Sequence, residues 1–133
     1  MNVFDMTNCA LGEGPLWHPG RQSLFWFDIL SKRVLMKEGN QLRDWQFETC
    51  VSAAGWVCAD QILIASEIEL FTLEITTGKT DTVVALEAEK PETRSNDGRA
   101  DPFGGFWIGT MGKAAQTGAG AIYRYFKGEL RKL

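Results

Sequence analysis

The chain has 133 residues, 44% of them hydrophobic and 23% charged, with a formal net charge of −3 at pH 7. That length holds one ordinary domain with a real core, and the composition is that of a folded chain rather than a disordered one. An acidic balance excludes the basic footprint a nucleic-acid partner requires.

No apolar run is long enough to cross a membrane as a helix, so no membrane association is expected. The opening residues, MNVFDMTNCALGEG, lack the basic and apolar regions of a signal peptide. Cys9, Cys50 and Cys58 are odd in number and form no C-x-x-C pair. They are expected as buried thiols acting as small hydrophobes, in a reducing cytoplasm.

Residues 3–8, VFDMTN, read as a lone strand. Short runs rich in Trp, Phe, Ile, Val and Leu follow, among them SLFWFDI, ILIAS, LFTLEI, FWIGTM and AIYRYF. They are separated by turn-like pieces such as Pro19-Gly20-Arg21-Gln22, Gly39-Asn40, Thr77-Gly78 and Lys127-Gly128. Only Val84–Glu89 has room for a helical turn, and Pro91 limits it. The chain therefore reads as all-β.

The runs recur. GPLWHPGRQSLFWFD begins at Gly14, GWVCADQILIAS at Gly55 and GRADPFGGFWIGT at Gly98, in steps of 41 and 43 residues. Each is a glycine, a short strand, a turn and a second apolar strand, with two further strands after it. Four strands in about 40–45 residues is the unit of a β-propeller blade. The spacing predicts three antiparallel four-stranded meanders, over 14–49, 54–86 and 97–133. An ordinary sandwich with accidental spacing is the alternative. Propellers have about 4–8 blades, so three make part of a ring. Residues 3–8 are expected to close its last blade.

Propeller sites gather at one mouth of the central channel, where the connections into the innermost strands meet. Glu13 precedes Gly14 and Asp97 precedes Gly98, while the matching residue of the second repeat is Ala54. Two carboxylates on one rim suit Ca²⁺, Mg²⁺ or another divalent cation. Arg94 and Asn96 are expected on the loop entering the third repeat. There a planar fork of donors and an amide suit a hydroxylated or carboxylated ligand. Taken singly, each has a bland reading, since Asp-Gly before a strand is a common turn. Asp28 and Asp101 read as structural, and His18, beside Pro19, as a surface turn residue. No G-x-S-x-G elbow is present, so a serine triad has no support.

LGEGPLWHP, SLFWFDI, RSNDGRADPFGGFWIGTMG and GAGAIYRY, in this order, resemble the gluconolactonase, senescence-marker-protein and regucalcin family. The resemblance covers nearly the whole chain. It implies a six-bladed propeller with one divalent cation in the channel, Ca²⁺ or Zn²⁺ first, with Mn²⁺ and Mg²⁺ as further candidates. It also implies hydrolysis of sugar lactones to aldonic acids. Glu13 matches the family's metal-binding glutamate, and Arg94 and Asn96 its substrate-binding arginine and asparagine, with Asp97 in a supporting role. The remaining metal ligands and the general-base aspartate are expected beyond Leu133, so no catalytic base is assigned within the chain. Some members carry a glutamate just after Gly-Thr-Met, where this chain has Gly112-Lys113-Ala114.

Three functions follow as expectations. The first is a metal-dependent sugar lactonase, represented by its N-terminal portion. The second is a non-catalytic, calcium-handling or metabolite-binding propeller. The third is an assembly module that self-associates or takes up a missing C-terminal half.

Overall fold

A computed structural model describes residues 2–133. Its order of elements follows from alternation. In Ser23-Leu24-Phe25-Trp26-Phe27-Asp28, Phe25 and Phe27 are fully buried while Leu24 and Trp26 are half-buried on the other face. Period-2 side chains of this kind make a strand with two different faces.

The strands are β1 (Gly12–His18), β2 (Ser23–Asp28), β3 (Arg33–Glu38) and β4 (Gln41–Gln46), then β5 (Val51–Cys58), β6 (Gln61–Ser66), β7 (Glu69–Glu74) and β8 (Thr80–Ala85). The last four are β9 (Thr93–Ala100), β10 (Phe106–Gly112), β11 (Ile122–Phe126) and β12 (Glu129–Lys132). They form three four-stranded antiparallel sheets, each a meander in chain order. There is no helix among the described residues, and Val84–Glu89 carries the end of β8 and a turn.

Turn chemistry sets the hairpins. Lys127 and Gly128 both have positive φ, the mark of a two-residue type I′ turn between β11 and β12. Gly39 alone has positive φ in the Gly39-Asn40 turn between β3 and β4, as a type II′ turn requires.

The sheets stack as blades. One core cluster joins Phe25, Phe27, Val34 and Met36 of the first blade to Val51, Ile62, Ile64, Phe71 and Leu73 of the second. A second joins Ala53, Ala65 and Leu70 of the second blade to Phe106, Ile108 and Tyr123 of the third. On β6, Ile62 and Ile64 face one neighbour while Leu63 and Ala65 face the other. Full burial of each large side chain stabilises the stack by roughly 2 kcal/mol. The innermost strands β1, β5 and β9 meet at the centre, and β5 touches both of the others.

Residues 3–8 pair with no strand. Side-chain bonds tie them to β3 instead: Lys37 Nζ donates to Phe4 O and Asp5 Oδ2, and Arg33 Nη2 donates to Asn8 O.

Two sequence expectations are corrected. His18 is buried, not a surface residue. Its Nδ1 accepts from the Arg21 N–H at 3.2 Å, which makes Nε2 the protonated nitrogen, donating to Cys58 O at 2.9 Å across the first two blades. The ring also stands 5.7 Å from that of Trp56. Cys58, expected buried, is exposed at the end of β5, and Cys9 and Cys50 are partly exposed. Cys50, packed against the core between the first two blades, has its thiol pKa raised by burial and by nearby Glu67.

Candidate functional site

Each innermost strand carries a register shift of the bulge type near its start. In β1 it falls at Gly14-Pro15, between the Glu13–Phe27 and Leu16–Phe25 pairs. In β5 it falls at Ser52, between the Val51–Ser66 and Ala53–Ala65 pairs. In β9 Asn96 and Asp97 together oppose Gly109, between the Ser95–Thr110 and Gly98–Ile108 pairs. Bulges re-aim side chains and are frequent beside functional sites.

Glu13, Arg94, Asn96 and Asp97 therefore lie within strands rather than on the loops entering them. The ladders begin earlier than the repeat glycines, because Gly12 already pairs with Asp28 and Thr93 with Gly112. Glu13 is exposed, and among the described residues no hydrogen bond or ion pair engages its carboxylate. Arg94 is 9% exposed. Its Nη1 donates to Ser95 O at 2.8 Å and to Asn96 Oδ1 at 3.1 Å. Asn96 is exposed, and with its carbonyl held by Arg94 its amide NH₂ is left for a ligand. Asp97 is exposed and accepts from the Gly98 N–H at 2.8 Å, the turn-like bond its bland reading anticipates. It lines a central concavity of about 360 Å³ with Gly14–Trp17, Ala54–Trp56 and Gly98–Ala100.

Two residues not singled out in the sequence join these strands. Ser52 Oγ donates to Ser95 Oγ at 2.7 Å, and both serines are fully buried. Gly14, at φ +59, presses on Ser52, since a Cβ there would lie 2.3 Å from Ser52 O. Ser52 thus touches the strand of Glu13 on one side and that of Arg94 and Asn96 on the other. A signal was available: each serine stands three residues before its repeat glycine.

Lys113 is bound to the second blade. Its ammonium pairs with Glu67, whose other oxygen accepts from the Cys50 N–H at 3.1 Å. Burial alone would raise the Glu67 pKa, but Lys113 and the Cys50 amide bring it below the ordinary value.

Asp28 and Asp101 are structural, as read. Burial opposes the charge on Asp28, yet the Leu11 N–H and Arg33 hold its pKa down to about 2. Asp101 accepts from Gly105 N, Phe103 N, Trp107 Nε1 and Arg124, and its pKa falls well below the usual carboxylate range, chiefly through the Gly105 amide.

Among the described residues no three His, Cys, Asp or Glu side chains converge on a point that would hold a metal ion. Glu13 fits the implied cation as one hard, unengaged oxygen donor, and a closed coordination sphere needs others.

Fold and site together define a class: β-propeller blades whose innermost strands carry Glu13, Arg94, Asn96 and Asp97. Residues 11–132 match the family described as the SMP-30/gluconolactonase/LRE-like region, and the chain belongs to that family. It superposes on a calcium-binding protein, regucalcin, from Agrobacterium tumefaciens with a TM-score of 0.95 at 38% identity, covering 98% of this chain and 45% of that one. Pentonolactonase XacC of Haloferax volcanii is 34% identical over 119 residues, covering 89% of this chain and 40% of the relative. Regucalcin of Danio rerio is 34% identical over 109 residues, covering 76% and 35%. The chain spans less than half the length of each of these relatives.

Proposed function

We propose that this chain forms part of a metal-dependent sugar lactonase, which hydrolyses a lactone to its aldonic acid. Likeness to a lactonase at 34% identity supports the reading. The observation that carries it is the Arg94–Asn96 pair at the bulge of β9, separated by β5 from the strand that bears Glu13.

A divalent cation, when bound, polarises the lactone carbonyl and lowers the pKa of a bound water. Glu13 supplies one anionic oxygen toward it. Arg94 and Asn96 orient the sugar hydroxyls, with Arg94 as donor and the Asn96 NH₂ as a second donor. The general base and the remaining metal donors come, in this reading, from outside the twelve strands.

The Agrobacterium relative is described as calcium-binding, which favours the second reading, a non-catalytic calcium-handling propeller. Turnover of a panel of aldonolactones with and without Ca²⁺, Zn²⁺, Mn²⁺ and Mg²⁺ separates the two. Metal-dependent hydrolysis supports the lactonase. Metal binding with no hydrolysis by a closed ring supports the alternative.

A further inference from the structure

The central concavity of about 360 Å³ has Trp17, Trp56 and Arg99 on its walls, one from each innermost strand, while Glu13, Arg94 and Asn96 do not line it. Arg99 stands three residues beyond Asn96 along β9, about 10 Å at the rise of a strand. Trp17, Trp56 and Arg99 therefore occupy the far half of the channel, past the repeat glycines.

A second concavity, of about 810 Å³, opens from the first between the second and third blades. The two share Gly55, Trp56 and Ala100. Leu63, Phe106 and Tyr125 give the second one apolar walls, and half-exposed Val57 stands at its edge. A Cβ at Gly55 would lie 3.3 Å from both Ala100 and Phe106, so glycine there keeps the groove open. Both walls belong to blades of this chain, and a propeller keeps its central channel when the ring is closed. Both volumes fall in the range of small-molecule sites, about 300–1,000 Å³.

The charges choose the occupant. Asp101 lines the groove, but its carboxylate is filled by Phe103 N, Gly105 N, Trp107 Nε1 and Arg124. Arg99 is exposed, and among the described residues no hydrogen bond or ion pair engages its guanidinium. Its planar fork matches the two oxygens of a carboxylate. Asp97, two residues earlier on the same face, is bonded to the Gly98 N–H and offsets part of the attraction. Affinity then rests on apolar contact as well as on the fork, with the half-exposed indole of Trp56 between the two concavities.

We propose that these joined concavities bind a carboxylate with an unbranched apolar tail. Arg99 holds the carboxylate in the channel, and the tail crosses Trp56 into the groove between the second and third blades. The site is separate from the sugar-binding residues and does not depend on the lactonase reading.

The test titrates the isotope-labelled 133-residue chain with butanoate, hexanoate and octanoate, and with 1-octanol as the neutral tail. Octanoate is expected to shift the Trp56 Nε1–H and the Ala100 and Tyr125 amides saturably. Affinity should rise about threefold per methylene along the series. Octanoate should exceed 1-octanol about fivefold, as one exposed charge pair implies. Arg99→Gln should remove that margin, and Val57→Glu should weaken octanoate more than 1-octanol, both with the spectrum of the folded chain retained. The absence of a saturable shift overturns the proposal, as do shifts confined to Trp107 and Ile122 on the outward face of the third blade. So do affinities that ignore tail length, or an Arg99→Gln variant that still prefers octanoate to 1-octanol.

Discussion

Ser52 of the second blade donates its hydroxyl to Ser95 of the third at 2.7 Å, with both side chains fully buried. This bond joins two innermost strands where both leave regular register, one residue from Arg94 and Asn96. Ser95→Ala is expected to cost about 1–2 kcal/mol, since it leaves the buried Ser52 hydroxyl unpaired, and Ser52→Ala somewhat less, since Ser95 Oγ keeps its 3.4 Å bond to Ala65 O. The double variant should cost less than the sum, because both changes remove one interaction. Urea denaturation of the four proteins measures this, and strict additivity would contradict a shared bond.

Gly14 and Gly39 offer a matched comparison. Their φ angles are +59 and +58, but a Cβ at Gly14 would meet Ser52 O at 2.3 Å and one at Gly39 would meet open space. Gly39→Ala should cost only about 1–2 kcal/mol, the left-handed backbone penalty. Gly14→Ala should cost markedly more, through displacement of β5 from β1. Comparable melting temperatures for the two variants would show that the approach of Gly14 to Ser52 is not tight.

Glu87 is a buried carboxylate that accepts from Tyr123 Oη at 2.7 Å and pairs with Lys90 at 2.8 Å. Burial pushes its pKa up, but the bonds from Lys90 and Tyr123 outweigh it and bring the value down to about 2, against 4.5 for the free group. A folded pKa below the unfolded one gives stability that is present above about pH 4.5 and is lost as the pH falls toward 2. Glu87→Gln should flatten this acid limb and lower stability at neutral pH. An unchanged acid limb in pH-dependent unfolding would remove Glu87 from the explanation.

Glu13→Gln removes an exposed, unengaged carboxylate. Made in a closed ring that supplies the remaining metal donors, the variant is expected to melt as the parent does without metal, and to lose most of the thermal shift that a divalent cation gives the parent. Equal shifts in parent and variant would exclude Glu13 as a ligand.

The outward face of the third blade exposes Trp107, Ile122 and Leu133, at 38%, 56% and 69%. The corresponding faces of the first two blades are covered by the next blade. We propose that the isolated chain self-associates through this surface. Light scattering should show a mass that rises with concentration, and Ile122→Lys should move it toward the monomer. A concentration-independent monomer would refute the association.

Much of the architecture was legible because it is local. Alternation in Ser23–Asp28, the Gly39-Asn40 and Lys127-Gly128 turns, and the 41- and 43-residue steps state strands, hairpins and repeat in a few neighbouring residues each. Asp101 was legible for the same reason, since its acceptor bonds run mostly to residues 103–107. Arg94, Asn96 and Glu13 could be named from their motifs, but their placing could not. Whether a ladder starts at Thr93 or at Gly98 depends on its partner β10, and a bulge is a mismatch between two strands that neither strand states alone.

Burial was decided further off still. His18 is covered because Cys58 and Trp56 of the next blade close over it, and Cys58 is exposed because its side chain falls outside that contact. Ser52 meets Ser95 across 43 residues of chain, and Lys113 meets Glu67 across two blades. Period and turn chemistry are properties of adjacent residues and survive in the one-dimensional string. The face that one blade turns to the next is set by twist and stacking, and exists only once the blades are packed.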